Sequence, residues 1–127
     1  MPTHLTPGAL ANKAAEAVRS LNHATQSAKG ELTYPGDAYD VVASLKTLTQ
    51  RLPQTFQQLA FFLEALGETD AVTADHGAPD EHLAEARSAL ASCSLIAQTL
   101  TEHLDRAHNA LSPLGWSGPL PDTADDL

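Results

Sequence analysis

The chain has 127 residues, a formal net charge of −9 and one cysteine, Cys93. That length makes one ordinary domain that can bury a core without staples, and a lone cysteine excludes an intramolecular disulfide and a Cys-rich zinc site. No basic patch of the kind that marks nucleic-acid binding stands out: residues 1–30 carry Lys13, Arg19 and Lys29 against Glu16, and the rest of the chain is acidic.

Residues of strand type do not alternate over any useful length. Alanine and leucine dominate, and apolar positions recur at steps of three and four, the spacing of helices. The first predicted helix, 7–29, starts at Thr6-Pro7, a cap followed by a proline tolerated at the first helical position. Leu10, Ala14, Ala17, Leu21, Ala24 and Ala28 form its apolar face, and Lys29-Gly30 supplies a C-terminal cation and a terminating glycine.

Turn residues Pro35, Gly36 and Asp37 precede the second helix, 37–66, with Asp37 as expected N-cap. Its inward positions are Ala38, Val42, Leu45, Thr49, Leu52, Phe56, Leu59, Leu63 and Leu66, with Val41, Leu48 and Phe62 widening the buried stripe. The step passes through Pro53 without losing phase. Two helices joined by a loop would have no reason to stay in register, so the spacing predicts one helix kinked at Pro53. The alternative is a tight corner between two helices, four in all. Gln50 or Gln54 could bond the carbonyls that Pro53 leaves free.

The connection 67–80 is acidic and surface-lying, and its carboxylates do not meet the spacing of a calcium loop. The third helix, 80–111, carries Leu83, Ala86, Leu90, Cys93, Ala97, Leu100, Leu104, Ala107 and Leu111 as a three-four seam, with Ile96 beside it. Residues 88–101 hold no charge, which predicts cover on more than one side. Trp116 is expected to fold back on the end of the bundle, and 116–127 reads as an acidic, flexible tail after a domain at 1–115. The fold class expected is all-α, an antiparallel three-helix bundle.

Chemistry is scarce. Asp105 and His108 have the spacing of di-iron bundle pairs, but a second such pair is missing from the sequence. Cys93 in a seam reads as a small buried hydrophobe without a nearby activating group. Catalytic and cofactor-binding residues are therefore expected to be absent, and metal ligands likewise.

Two resemblances to known proteins arise. "GWSG" resembles the Trp-x-Gly turn of small helical hairpins exported by actinobacteria. Here it follows the last helix instead of joining two, and neither Tyr34 nor Tyr39 has an acid four residues on, so the export signal is not matched. "DAYDVVASLKTLTQRLPQTFQQLAFFLE" with "LDRAHNALSPLG" resembles small all-helical proteins of actinomycetes, often encoded among integrated or conjugative elements. That resemblance covers about 37–64 and 104–115 and implies an all-helical accessory protein.

The expectation is a non-catalytic interaction module, cytoplasmic because neither a secretory signal nor a membrane span is evident. It would bind a protein partner or, as a homodimer, itself. Its expected surface is Gln57, Gln58, Phe61, Ser88, Ala91 and Leu95, with Phe61 and Leu95 pointing outward where charge is short. The alternatives are a DNA-associated regulator, acting as an acidic decoy or through helix 1, and a metal-dependent bundle enzyme.

Overall fold

The computed structural model describes residues 4–119, leaving aside the Lys29 side chain. Among them are three α-helices and no strand: α1 (Pro7–Ala24), α2 (Pro35–Glu68) and α3 (Pro79–Leu111), with a short 3-10 turn at Ser27–Lys29. No described helix is long and apolar enough to cross a membrane. The chain divides into two compact units, residues 39–114 and residues 1–38 with the segment from Gly115. Most of the expected flexible tail, 120–127, lies outside the described residues.

In the unit that holds residues 1–38, Thr6 caps α1 as expected: its hydroxyl accepts from the Ala9 N–H at 3.1 Å. The helix stops at Ala24, short of the expected residue 29. Thr25 ends it, its hydroxyl donating to the Leu21 carbonyl at 2.9 Å. Threonine competes for backbone groups in this way, and α1 buries none of its residues, so no packing opposes the break. Gly30 then takes a left-handed conformation, φ 67°. Tyr34 meets Trp116 edge to face, ring centroids 6.2 Å apart, and the Trp116 indole donates to the Pro119 carbonyl at 3.0 Å.

α2 begins two residues before the expected start. Its first helical residue is Pro35, so Asp37 sits in the first turn instead of at the N-cap. The carboxylate reaches back to accept from the Tyr34 N–H at 2.9 Å and the Thr33 N–H at 2.8 Å. This is the backward half of a capping box. Those bonds hold its carboxyl below the usual carboxylate range, Tyr34 contributing most.

α2 then runs unbroken through Pro53 for 34 residues. One helix replaces the two-helix alternative. Proline removes the hydrogen bond to the Thr49 carbonyl. Neither Gln50 nor Gln54 makes a side-chain hydrogen bond among the described residues; Gln57 instead donates to Ser94 Oγ at 3.3 Å.

α2 and α3 form an antiparallel hairpin with extensive contact along its length. Tyr39 stacks on His108 with centroids 4.3 Å apart. Lys46 Nζ donates to Asp105 Oδ1 at 2.6 Å. Thr101 Oγ1 lies 2.8 Å from Thr49 Oγ1 and 2.9 Å from the Ala97 carbonyl, while the Thr49 hydroxyl donates to the Lys46 carbonyl at 3.0 Å. Gln57 and Ser94 follow, and near the turn Leu83 lies where a side chain at position 67 would meet it. These pairs set a single register from end to end.

The seam of α3 departs from expectation in a regular way. Leu83, Leu90, Ala97, Leu104 and Leu111, seven residues apart, do turn inward. Between them the inward residues are Arg87, Ser94, Thr101 and His108. Cys93, Leu100 and Ala107, expected in the seam, are exposed. A polar residue replaces an apolar neighbour because α2 offers partners on that side: Gln57 for Ser94, Thr49 for Thr101 and the Tyr39 ring for His108. Among the described residues only Thr49, Ser94 and Ala97 are fully buried.

The turn between the helices is structured by its own groups. Thr69 donates to the Leu66 carbonyl at 2.6 Å, and Asp70 takes φ 57°. His82 Nε2–H donates to the His76 carbonyl at 2.7 Å, arching over Gly77 at φ 70°.

Candidate functional site

The hairpin presents two unlike faces, which can be located by counting rotation about each helix at about 100° per residue. Take Thr49 and Ala97, both buried, as the inward direction. Leu48, Leu52, Leu59 and Phe62 lie to one side of Thr49, and Cys93, Ile96 and Leu100 lie to the same rotational side of Ala97. Both helices are right-handed and they run in opposite directions. The same sense of offset therefore brings the two stripes onto one face. Lys46, Gln57, Ser94 and Asp105 are offset the other way, and the bonds of Lys46 to Asp105 and of Gln57 to Ser94 confirm that they share the opposite face.

The first face is apolar and open. On α2 the positions 41, 45, 48, 52, 55, 59, 62 and 66 keep the four-three step with Thr55 as the one polar member. On α3 the positions 86, 89, 93, 96 and 100 do the same with alanine, cysteine, isoleucine and leucine. Phe62 is 57% exposed and Ile96 66%, with Leu48, Leu59, Leu100 and Cys93 also exposed. Phe62, Leu48 and Ile96 thus fail to widen a buried stripe. The uncharged stretch 88–101 is likewise not covered: only Ser94 and Ala97 within it are buried. A recess lined by Leu48, Leu52, Ala43, Thr47, Arg51 and Thr55 opens beside the α2 stripe.

The second face is polar and self-satisfied. Asp105, singled out above for its metal-pair spacing, is engaged by Lys46 and by Asn109 Nδ2 at 3.4 Å. The Lys46 hydrogen bond and charge are the main reasons its carboxyl lies below the usual carboxylate range. His108 is occupied by Tyr39. No three of His, Cys, Asp and Glu converge on a metal position among the described residues. One loose end remains there: Arg87 Nε is buried without a hydrogen-bond partner.

Of the six residues expected to form an interaction surface, Phe61 (72%) and Leu95 (65%) are strongly exposed. Gln58, Ser88 and Ala91 are exposed as well. Gln57 is tied to Ser94. Phe61 stands one turn beyond Gln57 on α2, and Leu95 follows Ser94 on α3, so the two flank the polar face from opposite helices and do not belong to the apolar stripe. Sequence reading missed Leu48, Leu59, Phe62, Ile96 and Leu100 as surface residues because it assigned them inward. The signal was present as a second four-three step beside the first, which a single seam does not need.

No family model, curated protein or solved structure matches the chain.

Proposed function

We propose that the chain is a non-catalytic interaction module that offers the apolar face of the α2–α3 hairpin to a helical protein partner. One observation carries this: Leu48, Leu59, Phe62, Ile96 and Leu100 lie uncovered on one face of a hairpin that buries fully only Thr49, Ser94 and Ala97. Contiguous apolar surface of this kind marks interaction sites. Two parallel stripes at helical step form a groove suited to an amphipathic helix or helix pair, which would pack at a shallow angle. The engagement of Asp105 and His108 by Lys46 and Tyr39 supports a structural role for the groups that most invited a catalytic reading. The resemblance to accessory proteins of actinomycete mobile elements is compatible with this role. Phe61 and Leu95, which flank the polar face, are proposed as a separate contact.

A photo-crosslinking residue at position 96 of the full chain, expressed in its native host, tests the reading. The expected product is a crosslink to a helical segment through its apolar side. Absence of any crosslinked protein at position 96, with efficient crosslinking from position 57 to α3 as positive control, would overturn it.

A further inference from the structure

We infer that the occupant of the apolar face is a second copy of this chain, packed face to face with its helices reversed, so that two hairpins complete a four-helix arrangement. This rests on the interaction-module reading and names its partner.

Three features of the face fit a second copy. The first is its extent. Reversed about the level of Gln57, the α2 stripe overlaps its copy from Leu48 to Leu66, about 27 Å at 1.5 Å per residue. Two helices side by side are about 20 Å wide. The product is about 540 Å² per copy, or about 1,100 Å² in all, just above the roughly 1,000 Å² that a specific interface should clear.

The second is the uncharged band. Residues 52–63 of α2 carry no charge, and neither do residues 88–101 of α3. The Gln57–Ser94 bond sets these two stretches side by side. The band is therefore uncharged on both helices at once, at mid-length of the hairpin. A two-fold axis crossing the helices there would bring like onto like, apolar against apolar, as an isologous interface requires.

The third is the distribution of charges bordering the face. At the end of the band nearer the start of α2 stand Arg51 and Arg106, with His103, all exposed. At the end nearer the turn stand Glu81 and Glu85, also exposed. Asp40 lies beyond the overlap. Reversing one copy against the other sets the arginine end of each on the glutamate end of its partner, twice over. A parallel copy would set like charges together. The remaining charges of the two helices after Asp40, namely Lys46, Glu64, Glu68, Asp80, Arg87, Glu102 and Asp105, are offset toward the opposite face, Glu102 least squarely, one turn before Arg106.

Light scattering and sedimentation of the full chain test the proposal. The expected result is a reversible dimer in the low micromolar range. Phe62→Glu with Ile96→Glu, both at exposed positions, should leave the helical circular dichroism intact and weaken dimerisation by about 100-fold or more. Phe61→Glu with Leu95→Glu should leave the dimer unchanged. Cys93 lies in the α3 stripe, so its reaction with a thiol reagent should slow as concentration passes through the dimer range. Arg51→Glu/Arg106→Glu and Glu81→Arg/Glu85→Arg should each dimerise less well alone, and the two mixed should recover a heterodimer. A wild type that stays monomeric, or a dimer indifferent to Phe62→Glu with Ile96→Glu, overturns the proposal. Charge variants that do not recover on mixing overturn the reversed packing. Should wild type be monomeric while position 96 crosslinks a different protein, the second copy is excluded and the interaction-module reading stands.

Discussion

The two faces of the α2–α3 hairpin are made from the same pair of helices and do opposite things. On one, polar side chains meet across the helix contact and consume one another: Lys46 with Asp105, Gln57 with Ser94, Thr49 with Thr101. On the other, Phe62, Ile96 and Leu100 are exposed. Polar pairs of this kind are directional and fix register, while each adds little net stability. Apolar surface is non-directional and is the stronger driving force once covered. The hairpin therefore uses its directional contacts within itself and leaves apolar surface open. Substitutions at equivalent positions on the two faces should therefore have unequal effects.

The largest contrast should come from adding volume. Ala97 is 5% exposed and is the one fully buried apolar residue among those described, whereas Ala89 sits on the open stripe. Ala97→Leu has no space to enter and should cost about 1–3 kcal/mol in urea unfolding. Ala89→Leu, measured on the monomer, should lie within about 0.5 kcal/mol of wild type. Equal effects would mean that the open face is as packed as the seam.

Pro53 comes next. α2 is continuous through it, so the proline presets no corner and its lost hydrogen bond is a liability. Pro53→Ala restores a donor for the Thr49 carbonyl but frees the unfolded chain, an opposing effect of about 0.4–1 kcal/mol. A net gain of about 1 kcal/mol is expected, read as a higher denaturation midpoint. Loss of several kcal/mol instead would show that the chain depends on the proline at this point.

The threonine pair gives the next smaller effect. Thr49→Val or Thr101→Val alone leaves one hydroxyl facing an apolar group and should cost about 1 kcal/mol. The double replacement should cost less than the sum, since the contact between the two hydroxyls is lost only once. Additive costs in the four-way cycle would show that the 2.8 Å contact carries no coupling.

Much of this architecture is legible in the sequence. The three helices, the passage through Pro53 and every seventh inward residue of α3 follow from step counting, since hydrophobic period and helix period coincide. The intermediate seam positions do not. Step counting ranks Cys93 above Ser94 and Leu100 above Thr101 because it scores each helix alone. The inward choice depends on what the facing helix presents, and a hydroxyl or amide partner 37 or 52 residues away is invisible to a local window. The same blindness hid the candidate face. Step counting sets Phe62 and Ile96 beside a seam because nothing in a single chain says whether a second apolar stripe is covered. The end of α1 was misplaced for a related reason, as a Thr25 hydroxyl outweighs alanine propensity only where packing is absent.

Acid is the mildest probe and separates the polar face from the helix start. Asp105 and Asp37 both have carboxyls held below the usual range, by Lys46 and by the Tyr34 and Thr33 N–H groups respectively. A carboxylate whose folded value is depressed contributes stability that is fully present above its unfolded value, near 3.9, and is lost as pH falls through the folded one. Wild type should therefore lose stability progressively below about pH 5. Both groups are largely in contact with water, which screens their interactions, so the loss should be small. Asp105→Asn removes the charge that faces Lys46 and should flatten the acid slope while lowering stability near neutrality. Asp37→Asn should do the same through the cap. The apolar face carries no carboxylate in its stripe, so Phe62→Glu should leave both slopes in place when measured on the monomer. A wild-type acid profile unchanged by both asparagine variants would show that neither bond contributes in solution, and the polar face would then owe its register to the Thr49–Thr101 and Gln57–Ser94 contacts alone.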